Sequence, residues 1–327
     1  MARREVDEVR DGVELTNLDA PVFDDAGVTK RELVDHLDAL ADRLLPGLAG
    51  RPLSVVRARP GQPPFMQKNL PRGAPDWIPT IPVWAQASQR TVHYPLCSDR
   101  RTLLWFANQR AIEFHPTLVP HGADVTDELV VDLDPPEGGP FTRVVEVARL
   151  VRRALSGIGL DAAVKTSGAR GLHVVVPLAT PIGIDSAFAA TRAIAARAAT
   201  LDPDVATTAF IRDDRGGRVF LDPTRAGGAT LVAAYSPRAR PGLPVSFPVS
   251  WDELDDVAPA GITVTTVAGI LGAARMPGAA DPWRELRPEP GTLPVAVIEE
   301  GHRIPVPRVQ AMHEGKRRKR ARERGET

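Results

Sequence analysis

The stretch ELVVDLDPPEGG, residues 128–139, most limits how this chain can fold. Its apolar residues are typical of a buried β-strand, in which side chains alternate between two faces. Val131 and Leu133 therefore face one side, and Asp132 and Asp134 share the other. The two prolines that follow cannot continue a hydrogen-bonded strand. The sequence thus predicts a sheet in which one strand ends beside two carboxylates.

Two neighbouring carboxylates repel each other and are costly to desolvate, so this pair needs either open water or a cation between its members. A divalent cation is one interpretation. The alternative is that the strand simply ends here, with Asp134 capping the next helix. Because such a short motif recurs by chance, the rest of the chain has to decide between them.

The composition is typical of a globular protein. The chain has 327 residues, 43% hydrophobic and 25% charged, which is enough for one large or two ordinary domains. No run approaches the roughly 18 apolar residues of a transmembrane helix, and the N-terminus lacks the apolar segment of a signal peptide. We therefore expect a cytoplasmic location. With one cysteine, Cys97, the chain cannot form an internal disulfide, and no cysteine-based zinc spacing is present.

Charge is unevenly distributed, although 41 basic and 41 acidic residues give a formal net charge of zero. Seven lysines and arginines lie between Lys316 and Arg324. A basic segment of this kind commonly meets phosphate backbones, and a solvated, disordered end is an equally good interpretation. We predict a flexible basic tail over residues 301–327.

Hydrophobic periodicity and turn residues divide the chain into predicted elements. Leucines near helical spacing after Thr29, a candidate N-cap, predict one amphipathic helix that ends at Pro46-Gly47. Residues 60–82 are too rich in proline and glycine for regular structure and are interpreted as an ordered functional loop. Helices are also predicted over 141–157 and 185–199, and hairpins over 161–178 and 217–242.

These elements predict an α+β protein whose polar residues collect at strand ends and turns. We expect one domain over residues 1–300, with an N-terminal lobe over about 1–110 and a catalytic core over about 111–260. Mixed and antiparallel sheets in the two lobes are expected to surround one cleft. Frequent prolines beyond residue 284 predict an extended C-terminal wrap.

A third acid, Asp222, also follows a short apolar run, VFLD. Carboxylates supply the oxygen ligands that Mg²⁺ and Mn²⁺ prefer, and two such ions can activate a hydroxyl and neutralise a leaving pyrophosphate. The turn KTSGARGLH adds glycines that let backbone N–H groups approach an anion. The alternative for this turn is an ordinary hairpin with a buried histidine. Its candidate phosphate ligands are Lys165, Ser167, Arg170 and His173.

In order and spacing, VVDLDPPEG, KTSGARGLHVVVP and VFLDPTR resemble the three motifs of the archaeo-eukaryotic primase-polymerase superfamily. Four further stretches are similar to the polymerase domain of bacterial ligase D and its stand-alone relatives: LTNLDAPVFDDAGVTKREL, FMQKNLPRGAPDW, LLWFANQRAIEFHP and AAYSPRARPGLPVS. The resemblance covers about residues 13–300. It implies a primase-polymerase core and a template-dependent nucleotidyltransferase that fills short DNA gaps or processes DNA ends in repair, with a preference for ribonucleotides.

The resemblance also implies roles for individual residues. It implies that Asp132, Asp134 and Asp222 bind two Mn²⁺ or Mg²⁺ ions as cofactors. Residues implied to hold the substrate, a nucleoside triphosphate, are Ser167, Arg170, His173, Lys68, His115, Arg238 and Arg240. Residues implied to contact DNA are Phe65 and Met66, beside the template, and Lys30, beside a 5′-phosphate.

Three positions depart from the family pattern. Pro223-Thr224-Arg225 stands where many relatives have an aromatic residue followed by Gln-Asn. Met66 replaces a second template-facing aromatic residue, which predicts weaker base stacking. Ala20 replaces a lysine that helps to grip a DNA 5′-phosphate in end-joining relatives, which predicts a weaker grip.

Two other functions use the same features. The three acids could serve a metal-dependent nuclease or phosphoesterase, or the chain could be a DNA-binding scaffold with an inactive site. The many candidate triphosphate ligands favour the nucleotidyltransferase, and the complete set of acids argues against the scaffold. No ligase or nuclease motif is found in the sequence, so we expect a separate ATP-dependent DNA ligase to seal the product. We also expect the protein to be a monomer.

Overall fold

The computed structural model describes residues 5–85, 89–226, 229–273 and 281–306. Its strands are β1 (Glu8–Arg10), β2 (Val13–Leu15), β3 (Leu53–Arg59), β4 (Gln62–Gln67), β5 (Thr80–Ala85), β6 (Arg90–Pro95), β7 (Ala111–Pro116), β8 (Val125–Asp134), β9 (Ala163–Thr166), β10 (Leu172–Gly183), β11 (Ala206–Thr207), β12 (Val219–Asp222) and β13 (Pro248–Val249). Its helices are α1 (Lys30–Ala39), α2 (Ala41–Leu48), α3 (Arg100–Asn108), α4 (Phe141–Ser156), α5 (Ile184–Leu201), α6 (Val267–Ala273), α7 (Pro282–Glu285) and α8 (Val295–Arg303). None of these described helices is long and apolar enough to span a bilayer. The predicted α+β class is confirmed.

The chain forms two compact units, each assembled from separated segments. The first unit contains the described residues up to 124, with 165–169 and 227–286. The second contains 125–164, 170–226 and the described residues from 287. The lobes and the single domain that the sequence predicts stay predictions, and most of the predicted tail, from residue 307, lies outside the described residues.

The second unit is organised around β8. Strand β10 pairs with one edge of β8 and β12 with the other, both antiparallel, and β11 adds to β12 in parallel. Helices α4 and α5 pack on this sheet. The predicted stripe of Val144, Val147, Val151 and Leu155 on α4 is buried, as its 3.6-residue spacing requires.

Gly171 stands at the start of β10, where the two central strands approach each other closely. A Cβ added at Gly171 would lie 2.2 Å from the carbonyl oxygen of Leu133, the residue between the two acids of β8. Only glycine leaves room for backbone atoms at that distance. The spacing of β10 from the acid-bearing end of β8 therefore depends on this glycine.

The first unit contains a three-stranded sheet in the order β4-β3-β7 and a separate β5-β6 hairpin. Helix α1 packs on α3, and Leu33 and Leu37 of α1 are buried. Thr29 caps α1 as predicted, and Glu32 completes a capping box with it. The predicted single helix is wrong, however, because the backbone leaves the helical region at Leu40 (φ −105°, ψ 12°) and α2 begins after it.

Three other sequence predictions also differ from the structure. Residues 60–82 contain β4 and begin β5, because each strand pairs on one edge only and a proline there loses no ladder hydrogen bond. The hairpin predicted over 217–242 is absent from the described residues, since β12 pairs with β8 and β11 instead. The C-terminal segment is not wholly extended, because α8 packs on α5 through Val297 and Gly301.

Candidate active site

The three predicted acids lie on two paired strands, Asp132 and Asp134 near the end of β8 and Asp222 as the last residue of β12. Asp222 lies directly opposite Asp132 in the antiparallel register, and His173 of β10 lies opposite Asp132 on its other side. Asp132 and Asp222 are each 6% exposed, whereas Asp134, the last residue of β8, is exposed. The structure therefore brings together three predicted acids and one predicted phosphate ligand.

Arg225 neutralises part of this negative charge. Its guanidinium lies 3.0 Å from Oδ2 of Asp132 and 3.2 Å from Oδ2 of Asp222. The other oxygen of Asp222 accepts hydrogen bonds from the backbone N–H and the hydroxyl of Thr224, at 2.9 and 2.6 Å. The segment after the third acid, which departs from the family pattern, thus folds back onto the acids themselves.

The acid cluster still disfavours full ionisation of Asp132 and Asp134, even beside Arg225 and with Arg212 and Arg215 nearby. Burial first, and then the charges of Asp134 and Asp222, raise the pKa of Asp132 far above its usual range, against the opposing charge of Arg225. Partial desolvation and the charge of Asp222 also raise the pKa of Asp134, although its side chain remains exposed. A further cation would relieve this repulsion.

The residue types fit the divalent cation that the primase-polymerase resemblance implies, because hard cations prefer carboxylate oxygens. As they stand, no three acidic, histidine or cysteine side chains among the described residues are grouped to hold a metal ion. Arg225 explains the difference, since its guanidinium lies against both Asp132 and Asp222. A metal ion that used the same Oδ2 atoms of these two carboxylates would displace that guanidinium.

A second polar cluster lies in the first unit, around Glu113 of β7. Oε2 of Glu113 accepts hydrogen bonds from His115 Nε2 at 2.7 Å and from Arg238 Nε at 2.9 Å. Its Oε1 accepts the backbone N–H of Ala239 at 2.9 Å. Arg238 also donates to the carbonyl oxygen of Ser167 at 2.6 Å. Glu113, which the sequence did not indicate, therefore joins His115 to Arg238, and Arg238 in turn bonds Ser167.

Ser167 and Gly168 form a turn with no spare room. Gly168 has a positive φ of 65°, and a Cβ there would lie 2.7 Å from both the Arg238 side chain and the backbone nitrogen of Ser246. The turn is thus fixed against Arg238, as a backbone cradle for an anion requires. Whether it binds phosphate stays a prediction.

Lys165 does not have the position expected of a phosphate ligand. Its side chain is buried, and its ammonium donates to the carbonyl oxygen of Val232 at 3.0 Å and to the hydroxyl of Ser246 at 2.6 Å. Lys30, expected beside a DNA 5′-phosphate, is also buried and donates to Thr16 O and Asn108 Oδ1. Both lysines hold backbone segments together in the interior, and neither presents a charge to a ligand.

Three of the predicted nucleotide ligands have exposed side chains. Lys68 follows β4 and is exposed, Arg240 is exposed in the first unit, and Arg170 is exposed in the second. In the register of the three-stranded sheet, Met66 and Glu113 are the partners of the same β3 residue, so they share a face.

Met66 and Phe65, the two predicted template contacts, alternate to opposite faces of β4. Met66 is 50% exposed. Phe65 lies under two guanidinium groups, with Arg59 at 5.4 Å and Arg57 at 6.0 Å from its ring centroid. Of these two residues, Met66 thus offers an exposed apolar surface on the Glu113 face of the sheet.

Comparison with known families shows which family this chain resembles. Residues 29–283 match the family described as LigD, primase-polymerase domain. The chain belongs to that family. A LigD primase-polymerase domain is a nucleotidyltransferase, so the enzyme class and the predicted superfamily are both confirmed.

The LigD relatives are longer proteins that this chain matches in part. It is 35% identical over 261 residues to the multifunctional non-homologous end joining DNA repair protein LigD of Mycobacterium tuberculosis strain H37Rv, covering 75% of this chain and 34% of that protein. It is 30% identical over 260 residues to the bifunctional non-homologous end joining protein LigD of Bacillus subtilis strain 168, covering 78% and 42%. The chain therefore spans less than half the length of these relatives.

A solved LigD structure matches over nearly its whole length. The polymerase domain from Mycobacterium tuberculosis ligase D, solved in complex with DNA, superposes with a TM-score of 0.73 and 32% identity, covering 84% of this chain and 99% of that one. The primase-polymerase fold predicted from the motifs is thereby confirmed.

Proposed function

We propose that this LigD-type polymerase domain adds nucleotides to the 3′ end of a primer strand and fills short gaps in DNA during repair. The observation that carries the proposal is the convergence of Asp132, Asp134 and Asp222 at the ends of two paired strands. DNA as the substrate is supported by the related polymerase domain, which was solved in complex with DNA.

The proposed reaction is a nucleotidyl transfer. The primer 3′-oxygen forms a bond to the α-phosphorus of the triphosphate, the bond to the β-phosphate oxygen breaks, pyrophosphate leaves, and the hydroxyl proton passes to solvent. Mn²⁺ or Mg²⁺ held by the three acids would lower the cost of deprotonating the hydroxyl and neutralise the departing pyrophosphate. His173, 3.4 Å from Asp132, helps to fix that carboxylate.

The triphosphate is proposed to bind the side chains that the protein presents outward or holds rigidly. Lys68, Arg170 and Arg240 are exposed and positively charged, which suits contacts with phosphate oxygens. Ser167 and Arg238 are fixed to each other by a hydrogen bond. Lys165 is left out of this set because its ammonium is buried among protein oxygens.

We propose a preference for ribonucleotides, with His115 binding the sugar. A site built to hydrogen-bond a hydroxyl rejects the analogue that lacks it, because its own polar atoms are then left without a partner. Short products are proposed because long synthesis needs an extended grip on a duplex, and the matched region is a single primase-polymerase domain. A nick remains after the last addition, so we propose a separate ATP-dependent DNA ligase as the partner that seals it. The location proposed is that of the DNA, the nucleoid in the cytoplasm, and the active form proposed is a monomer.

The test is nucleotide addition in DNA gaps of one to three nucleotides opposite template T. The expected result is a larger kcat/KM for rATP than for dATP, with Mn²⁺ present, and products that stop when the gap is filled. Equal or dATP-favouring values, or products of hundreds of nucleotides, would contradict the proposal.

Two controls separate the competing functions. Labelled primer incubated without nucleotide reports any nuclease activity by the same acids. Asp132→Asn is expected to abolish addition, whereas Asp127→Asn, an exposed acid on the same strand, is expected to have no effect. Cleavage without addition would favour a nuclease, and activity that survives in Asp132→Asn would remove the acids from the mechanism.

A further inference from the structure

Glu113 is a buried acid with no place in any of the three family motifs. It is 7% exposed on β7, two residues before His115, and both side chains lie on the same face of the strand. A carboxylate with no partners would be costly to bury there. Its three hydrogen bonds, from His115, Arg238 and Ala239, remove most of that cost.

The charge state of Glu113 follows from these contacts. Burial alone would raise the pKa of Glu113, but the hydrogen bond from His115, the charge of Arg238 and the N–H of Ala239 together lower it below its ordinary value. The side chain is therefore an ionised carboxylate at neutral pH. An ionised carboxylate only accepts hydrogen bonds.

The ionised carboxylate of Glu113 determines which ring nitrogen of His115 carries a proton. Because Glu113 accepts at Nε2, the ring nitrogen Nε2 of His115 must carry a proton. In the neutral imidazole, Nδ1 is then an acceptor, which suits a donating hydroxyl such as that of a sugar. Without the carboxylate, either tautomer is available and the ring is free to rotate.

The same carboxylate fixes the arginine. Nε of Arg238 donates to Glu113 and Nη1 donates to the carbonyl oxygen of Ser167. Two sides of the planar guanidinium are thus held, and Nη2 is left to face an anion, since it has no hydrogen-bond partner among the described residues. The orientation of the Ser167–Gly168 turn follows from that of Arg238, because the turn packs directly on it.

We propose that Glu113 is a positioning residue of the nucleotide site, which sets the tautomer of His115 and the direction of Arg238 and so controls discrimination between ribose and deoxyribose. The inference rests on the proposed function, because it requires that His115 and Arg238 bind the nucleotide. Glu113 itself touches the side chains that bind the substrate and does not touch the reacting atoms.

The decisive variant is Glu113→Gln, which keeps the size of the side chain but can also donate hydrogen bonds. The expected result for single-nucleotide addition is a KM for rATP raised on the order of tenfold or more, a kcat changed much less, and a ratio of rATP to dATP kcat/KM that falls towards one. Affinity for gapped DNA should be unchanged. His115→Ala should lose the same discrimination between rATP and dATP. The double variant with both substitutions should lose no more discrimination than His115→Ala alone.

Glu128→Gln is the matched control, since Glu128 is also held by an ion pair, with Arg287, but lies in the second unit, whereas Glu113 lies in the first. Glu113→Asp keeps the charge and should retain part of the discrimination. Circular dichroism and thermal unfolding of each variant identify any that fails to fold. If the Glu113→Gln protein does not fold, the Glu113→Asp protein is used for the test instead.

Equilibrium binding of rATP and dATP to protein with a dideoxy-terminated primer separates the two proposals. Wild-type protein that binds rATP but never extends a primer would refute the proposed function, while loss of binding in Glu113→Gln would still support the role of Glu113. Folded Glu113→Gln protein with wild-type KM and wild-type sugar discrimination would overturn the inference.

Discussion

Two clusters of this protein place a buried carboxylate beside an arginine, with opposite consequences. In the acid cluster, formed by Asp132, Asp134, Asp222 and Arg225, burial and the neighbouring acids raise the pKa of Asp132. In the Glu113 cluster, formed by Glu113, His115 and Arg238, the partners outweigh burial and lower the pKa of Glu113. The difference lies in the ratio of acids to positively charged or donating partners.

That ratio indicates what each cluster can do. Three carboxylates have one guanidinium in direct contact, and the pKa values of Asp132 and Asp134 stay raised even with the charges of Arg212 and Arg215 nearby, so the acid cluster favours a further cation. One carboxylate with three donors is already satisfied, so Glu113 has no remaining demand for a ligand and instead holds its donors in place. Under the two proposals, a buried acid thus serves as a binding group in one unit and as an orienting group in the other.

The largest expected effect is that of Asp222→Asn. We expect kcat for nucleotide addition to fall on the order of 10³-fold or more, because the variant loses several kcal/mol of charge stabilisation in the transition state. Glu113→Gln should act mainly on KM instead. Single-turnover kinetics at saturating rATP distinguish the two variants. Equal losses of kcat in Asp222→Asn and Glu113→Gln would contradict the proposed difference between the clusters.

A smaller effect is expected from Arg225→Gln. Removing the guanidinium that Asp132 and Asp222 share should raise the affinity of DNA-free protein for Mn²⁺, on the order of tenfold, because metal and guanidinium compete for the same oxygens. Titration followed by electron paramagnetic resonance measures this directly. Arg153→Gln, an exposed arginine on α4, is the control. Weaker Mn²⁺ binding in Arg225→Gln would mean that Arg225 organises the acids for the metal.

The clusters should also differ in how pH changes stability. A carboxyl whose pKa is raised by folding takes up a proton when the chain folds, so stability falls as pH rises through the interval between the two pKa values. Without metal, Asp132 should therefore cost the folded protein on the order of 1 kcal/mol between pH 5 and pH 7.

Urea unfolding at pH 5 and pH 7, with a metal chelator present, tests whether the free energy of unfolding falls as pH rises. Asp132→Asn should remove that loss of stability, and added Mn²⁺ should reverse it in the wild type. Glu113 should contribute stability above its ordinary pKa that is lost as pH falls through its lower folded value, so Glu113→Gln leaves the slope between pH 5 and pH 7 unchanged. A slope unaltered by Asp132→Asn would show that the excess charge lies elsewhere.

The smallest functional effect is expected for Lys165→Met. Its ammonium is used inside the protein, so KM for rATP should stay within about twofold of the wild type while the free energy of unfolding falls by about 1–3 kcal/mol. Arg240→Gln should show the reverse, a raised KM at unchanged stability. Parallel kinetics and denaturation of the two variants provide the measurement. A large rise in KM for Lys165→Met would show that Lys165 contributes to nucleotide binding.

Local patterns were sufficient for the acid cluster. Alternation along β8 and the prolines after it predict where Asp132 and Asp134 stand, because both signals lie within a few residues. The helix cap at Thr29 and the apolar stripe of α4 are local for the same reason. The hairpin over 217–242 failed because turn residues do not reveal that β12 pairs with β8, whose acids are about ninety residues earlier in the chain.

The Glu113 cluster could not be found in this way. A single glutamate in an alternating strand is typical of a solvated face, and its partner Arg238 is 125 residues away. The spacing of Glu113 from His115 is the one local signal, since alternate residues share a face. Lys165 shows the converse, because a lysine beside Ser-Gly resembles a phosphate ligand until its burial is known.

Gly171 has a consequence for how such an enzyme varies under random mutation. It carries no functional group, yet any side chain there would push against the carbonyl oxygen between the two acids of β8 and separate the strands that align them. In a saturation library selected for polymerase activity, substitutions at this glycine should be depleted about as strongly as those at the acids. A position without chemistry of its own would then mark the active site as clearly as the catalytic residues do.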